Sequence, residues 1–98
     1  MATIYVITNL INSKQYVGKT TYYIEKRWKE HCYDCKKIEI NQHRPLYNAM
    51  QKYGIKNFNI SIIEENIPEE NIDNREKFWI SKLDTYYNGY NATLGGDG

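Results

Sequence analysis

The sequence predicts a small α+β domain, a three-stranded and at least partly antiparallel sheet flanked by about three helices. Three observations carry that expectation. Two β-branched and aromatic runs near the N-terminus are separated by a polar turn. Three later segments read as helical, two of them from apolar residues at helical spacing. A short run between the second and third alternates apolar and polar residues with period two. The order strand–strand–helix–helix–strand–helix then gives one sheet with helices packed against it.

Thr3 to Thr8 is β-branched and aromatic and reads as the first strand. Asn9 to Lys14 supplies turn residues, and Gln15 to Gly18 reads as a second strand, so the two form a hairpin. Thr20 or Thr21 can cap a helix from about Tyr22 to Cys35, with Glu25 well placed in its first turn. Ile24, Arg27, Trp28, His31 and Cys35 share one face of it. Pro45 suits the first turn of a short helix through Tyr53, closed by Gly54. Phe58 to Ile62 is the expected third strand, and Glu69 to Leu83 the last helix, with Ile72, Glu76, Trp79 and Leu83 on one face. Residues 1–94 are expected to be the working domain, and residues 95–98 (Gly-Gly-Asp-Gly) the start of a flexible linker.

Composition bounds the function classes. A chain of 98 residues allows one domain, and 41% hydrophobic with 26% charged residues is ordinary for a globular one. No apolar run approaches the roughly 20 residues needed to cross a bilayer. The first residues lack the basic and apolar regions of a signal peptide, so a cytoplasmic setting is expected. The net charge of +1 conceals an asymmetry: residues 1–53 hold nine Lys and Arg against four Asp and Glu, residues 54–98 the reverse excess. A basic half can face a polyanion such as nucleic acid, or simply belong to a bipolar surface.

Several residues could carry chemistry. Glu76 places a carboxylate on the apolar stripe of a helix, costly unless it is paired with Lys or Arg or binds a cation such as Mg²⁺. Arg27 and His31, four apart, point toward the sheet; the one could stabilise phosphoryl charge and the other donate a hydrogen bond or proton, or both could edge an amphipathic helix. Tyr5 and Tyr16 lie on the hairpin strands. A tyrosine base would need a cation to lower its pKa, for which Lys19 is the nearest candidate in sequence. Cys32 and Cys35 are too few for a zinc knuckle and read as free thiols, buried or partly buried.

Taken together, these residues resemble the GIY-YIG nuclease superfamily, most closely the N-terminal catalytic domain of phage-type homing endonucleases. Thr3-Ile4-Tyr5 and Tyr16-Val17-Gly18 stand for its two eponymous motifs, with Thr3 in place of the first Gly and Val17 in place of the Ile. The segments 25–31, 43–46 with 52–54, 75–80 and 89–91 are similar to its further blocks, in order along nearly the whole chain. The resemblance implies endonucleolytic hydrolysis of DNA with a single divalent ion, Mg²⁺ or Mn²⁺, held by Glu76. It implies that Tyr5 or Tyr16 activates or orients water, Lys19 holds a phenolate or a water network, and Arg27 stabilises phosphorane-like charge. It further implies that His31, and His43 as a positioning residue, assist, with Asn91 a hydrogen-bonding residue of the site. One acidic ligand argues against a two-metal mechanism. The partner expected is DNA, with specificity from a further DNA-binding domain or partner, and with no membrane and no small-molecule cofactor. A stand-alone repair-type nuclease of the same superfamily and a catalytically silent nucleic-acid-binding module are the competing expectations.

Overall fold

The computed structural model describes residues 1–37 and 44–96. The strands are β1 (Ala2–Asn9), β2 (Gln15–Thr20) and β3 (Phe58–Ile67); the helices are α1 (Ile24–Cys35), α2 (Pro45–Tyr53) and α3 (Ile72–Leu83). The sheet order is β2-β1-β3, antiparallel throughout. No helix of the described residues is long and apolar enough to cross a membrane.

Central strand β1 is buried on both faces, which explains its near-continuous apolar sequence. Tyr5 and Ile7 pack with α1 and α2 residues such as Cys35, Leu46 and Met50. Ala2 and Ile4, one residue out of phase, pack with Ile80, Ile72 and Trp79 of α3 on the opposite face. The sheet is therefore sandwiched between two helical layers, and a side chain's parity along β1 decides which layer it meets.

Several boundaries differ from expectation. Strand β3 continues to Ile67 rather than ending at Ile62, and its pairing with β1 shifts register around Ile4, where Glu64 comes opposite. That irregularity breaks the period-two pattern that would have revealed the extension. The segment before α3 forms a separate 3-10 turn, Glu69–Asn71, after Pro68. Helix α1 starts two residues late: Thr20 Oγ1 accepts from the Tyr22 N–H, which tightens the approach turn instead of capping the helix. Gly95 and Gly96 lie against Lys77 of α3.

Candidate active site

Gly18 lies directly opposite Tyr5 in the β1–β2 ladder. A Cβ at Gly18 would stand 2.2 Å from Tyr5 Cζ, so the tyrosine ring lies across a position only glycine leaves open. Laid over the strand in this way, the fully buried Tyr5 reaches α1. Its Oη is 2.7 Å from His31 Nε2, and Arg27 Nε donates to the same oxygen at 3.2 Å. His31 Nδ1 is 2.8 Å from Tyr47 Oη on α2. The i, i+4 spacing of Arg27 and His31 thus sets a cation and an imidazole on one phenol, with the second phenol behind.

Burial governs the ionisation of this cluster. His31 is pulled down to about 3 by burial, with Arg27 and Arg44 adding to the effect, so the imidazole is neutral. One ring nitrogen therefore donates while the other accepts, and the ring can relay a hydrogen bond between Tyr5 and Tyr47. Burial raises Tyr5 and Tyr16 above the ordinary phenol range, against the opposing fields of Arg27 and, at Tyr16, Arg44. Tyr47 is pushed up to about 12 by burial. Cations do pull both hairpin phenols down, but burial outweighs them and neither is depressed.

Lys19 is drawn to the carboxylates of α3. Its Nζ meets Asp73 Oδ1 at 2.6 Å and Glu76 Oε1 at 3.3 Å, both on α3. Burial opposes its charge, but the Asp73 hydrogen bond and the Glu76 field outweigh it and its pKa is raised. The cations near Tyr16 are Arg27 and Arg44.

These groups meet at a cleft of about 450 Å³, lined by Tyr16, Lys19, Arg27, Arg44, Glu76 and Asn91 among others. Glu76 is buried, and both of its described contacts fall on Oε1, from Lys19 and from the Gly96 N–H at 3.0 Å. Asn91 pins the cleft wall: Oδ1 accepts from the Val17 N–H and Nδ2 donates to the Val17 carbonyl, each at 2.8 Å. It acts as a one-residue strand partner on the free edge of β2.

The donor set suits a hard cation. No group of three or more His, Cys, Asp or Glu able to hold a metal occurs among the described residues. A single carboxylate at an open cleft matches an ion that keeps several waters, as Mg²⁺ does, rather than zinc. Cys32 and Cys35 are free thiols, one half-buried and one buried, with Cys35 Sγ donating to the Cys32 carbonyl.

The cleft therefore unites Tyr16, Lys19, Arg27, Glu76 and Asn91 on its wall, with Tyr5 and His31 directly behind Arg27. His43 lies outside the described residues. Sequence reasoning missed Arg44, whose guanidinium stands 4.7 Å from the Tyr47 ring centroid and faces the same cleft. Its only signal was a basic residue at the N-cap of a proline-started helix. Asp73, the Lys19 partner, was readable only as a carboxylate one turn before Glu76.

The arrangement pairs two guanidinium groups, able to hold a phosphate, with one carboxylate, able to hold a cation, and a hydrogen-bonded phenol–imidazole chain. The profile of the GIY-YIG catalytic domain matches residues 1–91. Intron-associated endonuclease 1 of Enterobacteria phage T4 is 43% identical over 97 residues; the match covers 94% of this chain but 38% of that protein. The catalytic domain of homing endonuclease I-TevI superposes with a TM-score of 0.78 at 39% identity, covering 95% of this chain and 99% of the other. A glutamate-to-alanine variant of that I-TevI domain gives 0.79 at 39% identity, with full coverage of both chains.

Proposed function

The chain belongs to the GIY-YIG family, as its catalytic domain, and from that premise we propose that it hydrolyses DNA phosphodiester bonds as the cutting part of a homing endonuclease. The observation that carries this reading is the meeting of Arg27, Arg44 and Glu76 at one cleft, beside a phenol hydrogen-bonded to a neutral imidazole. Two guanidinium groups can grip an anion, while the buried Glu76 carboxylate, met on Oε1 by Lys19 and Gly96, keeps Oε2 for a metal ion. That combination suits a phosphate bound through a metal.

Glu76 would hold the ion, Mg²⁺ or Mn²⁺, through its carboxylate. Such an ion supplies Lewis-acid polarisation of the phosphate and of the leaving oxygen. The remaining work falls to the chain. Arg27 and Arg44 grip the non-bridging oxygens and stabilise the charge that accumulates as water attacks phosphorus and the bridging P–O bond breaks. Tyr16, on the cleft wall, contacts the phosphate or the water. Tyr5, fully buried behind Arg27 with both His31 Nε2 and Arg27 Nε in hydrogen-bond reach, fixes that guanidinium toward the phosphate. Since neither hairpin phenol is ionised beforehand, Tyr16 orients the water by a hydrogen bond, and the water's proton leaves to a phosphate oxygen or to solvent as attack proceeds. Lys19 keeps the Glu76 carboxyl in place, and Asn91 holds β2, and with it Tyr16, against the cleft.

The chain spans about 38% of the length of its phage relative. Its basic excess is small, and no helix-turn-helix or zinc-finger pattern is present in the sequence. Target choice would therefore rest with a further DNA-binding domain or partner, acting in the cytoplasm of a bacterial or phage-infected cell. Incubating supercoiled plasmid with the chain at high concentration tests the activity. Nicking in Mg²⁺ that stops with EDTA is expected, and salt-sensitive binding with no nicking would refute the reading.

A further inference from the structure

The turn after Asn91 folds back onto α3, and we infer that Gly96 is a positioning residue for the Glu76 carboxylate. The inference rests on the reading that Glu76 holds the divalent ion. The Gly96 N–H donates to Glu76 Oε1 at 3.0 Å, the oxygen that Lys19 Nζ approaches at 3.3 Å. Two donors on one oxygen fix the carboxyl plane, and Oε2 carries none of the described contacts. A ligating carboxylate steadied in this way presents its second oxygen without the entropy cost of ordering it, and outer donors of this kind commonly govern metal affinity.

The backbone favours glycine here: Gly96 has φ +81°, while a Cβ there would meet only the movable end of the Lys77 side chain. Gly95 precedes it at φ +98°, with its own Cβ position 3.0 Å from Ile80 Cδ1 and its N–H donated to Thr93 Oγ1 at 3.1 Å. Two successive left-handed residues bend the chain so that the second amide turns to the carboxylate. The glycines that look like the opening of a spacer thus form a docked turn, continuous with Thr93 on the cleft wall.

The test measures Mn²⁺ binding to the chain by the electron paramagnetic resonance of free Mn²⁺, without DNA and without turnover. Gly96→Val, whose β-branched side chain disfavours this φ, is expected to weaken binding by about tenfold with an unchanged Tm. Gly96→Asn, which tolerates the left-handed region, is expected to recover most of that loss. Parent affinity in Gly96→Val, with binding lost in Glu76→Ala, overturns the inference and leaves the metal reading standing. Parent affinity in Glu76→Ala overturns both. Should Gly96→Val fail to fold, amide hydrogen exchange reads the bond without altering the glycine. The Gly96 amide is expected to exchange faster in Glu76→Ala than in the parent, and equal rates would overturn the inference.

Discussion

Tyr5 and His31 lie 26 residues apart in sequence, yet the Tyr5 Oη stands 2.7 Å from His31 Nε2 inside the core, with Arg27 Nε on the same oxygen. Gly18 makes the contact possible by leaving room for the tyrosine ring across β2. The hairpin and the first helix are thus joined by a polar chain that runs on to Tyr47.

Removing the hydroxyl isolates its chemistry. Tyr5→Phe keeps the ring that covers Gly18 but takes away the oxygen that fixes Arg27, and single-turnover cleavage is expected to slow by roughly 10²-fold, the worth of a small misplacement of a phosphate-gripping group. Tyr16→Phe is expected to raise the DNA concentration needed for half-maximal rate as well, since Tyr16 lines the cleft. Rates for the two variants measured across DNA concentration separate these effects.

Gly18→Ala tests the packing directly. The added methyl meets the Tyr5 ring, so the ring or the strand must shift, at a cost of about 1–3 kcal/mol. Chemical denaturation is expected to show that loss, and cleavage is expected to fall with it as Tyr5 leaves His31. A stable variant with parent activity would mean the ring can move freely.

His31 predicts a pH dependence of stability. Its folded pKa of about 3 lies below the ordinary value of 6.5. Above pH 6.5 the imidazole is neutral in both states. As pH falls from 6.5 toward 3, only the unfolded chain gains the proton, so the fold loses stability across that window, on the order of a few kcal/mol, and the slope ends below 3. His31→Gln is expected to flatten that part of the urea midpoint against pH curve. Cleavage near neutral pH should show no ionisation of this imidazole.

Asn91→Ala removes two hydrogen bonds to Val17 and leaves both its backbone groups without their partner, at a cost of about 2–3 kcal/mol. Asn91→Asp keeps the acceptor but sets a carboxylate oxygen against the Val17 carbonyl, and is expected to be no better. Thermal denaturation of the pair checks this.

Much of the molecule was legible because its local rules agree. The hairpin, α2 with Pro45 at its start and Gly54 at its end, and the face of α1 all follow from short-range pattern. Glu76 stood out because a carboxylate between Ile72 and Trp79 contradicts its own helix face. What escaped notice was set by tertiary contact. Strand β3 runs past Ile62 through a register shift. Helix α3 ends at Leu83 as expected but starts only at Ile72, because the residues after Pro68 form a separate 3-10 turn. Lys19 lies close to the tyrosines in sequence, but its ammonium is captured by Asp73 and Glu76 from the opposite helical layer. Arg44 joins the site only because α2 folds onto α1.

The central claim is that the Glu76 carboxylate holds the ion on which phosphodiester hydrolysis depends. Single-turnover nicking of supercoiled plasmid, measured for the parent and Glu76→Ala across a range of Mg²⁺ concentrations and with EDTA, tests it most directly. The account predicts parent cleavage that rises with Mg²⁺ and stops with EDTA, with Glu76→Ala folded, still able to bind DNA and inactive at every Mg²⁺ concentration. Cleavage by Glu76→Ala at the parent rate would contradict it.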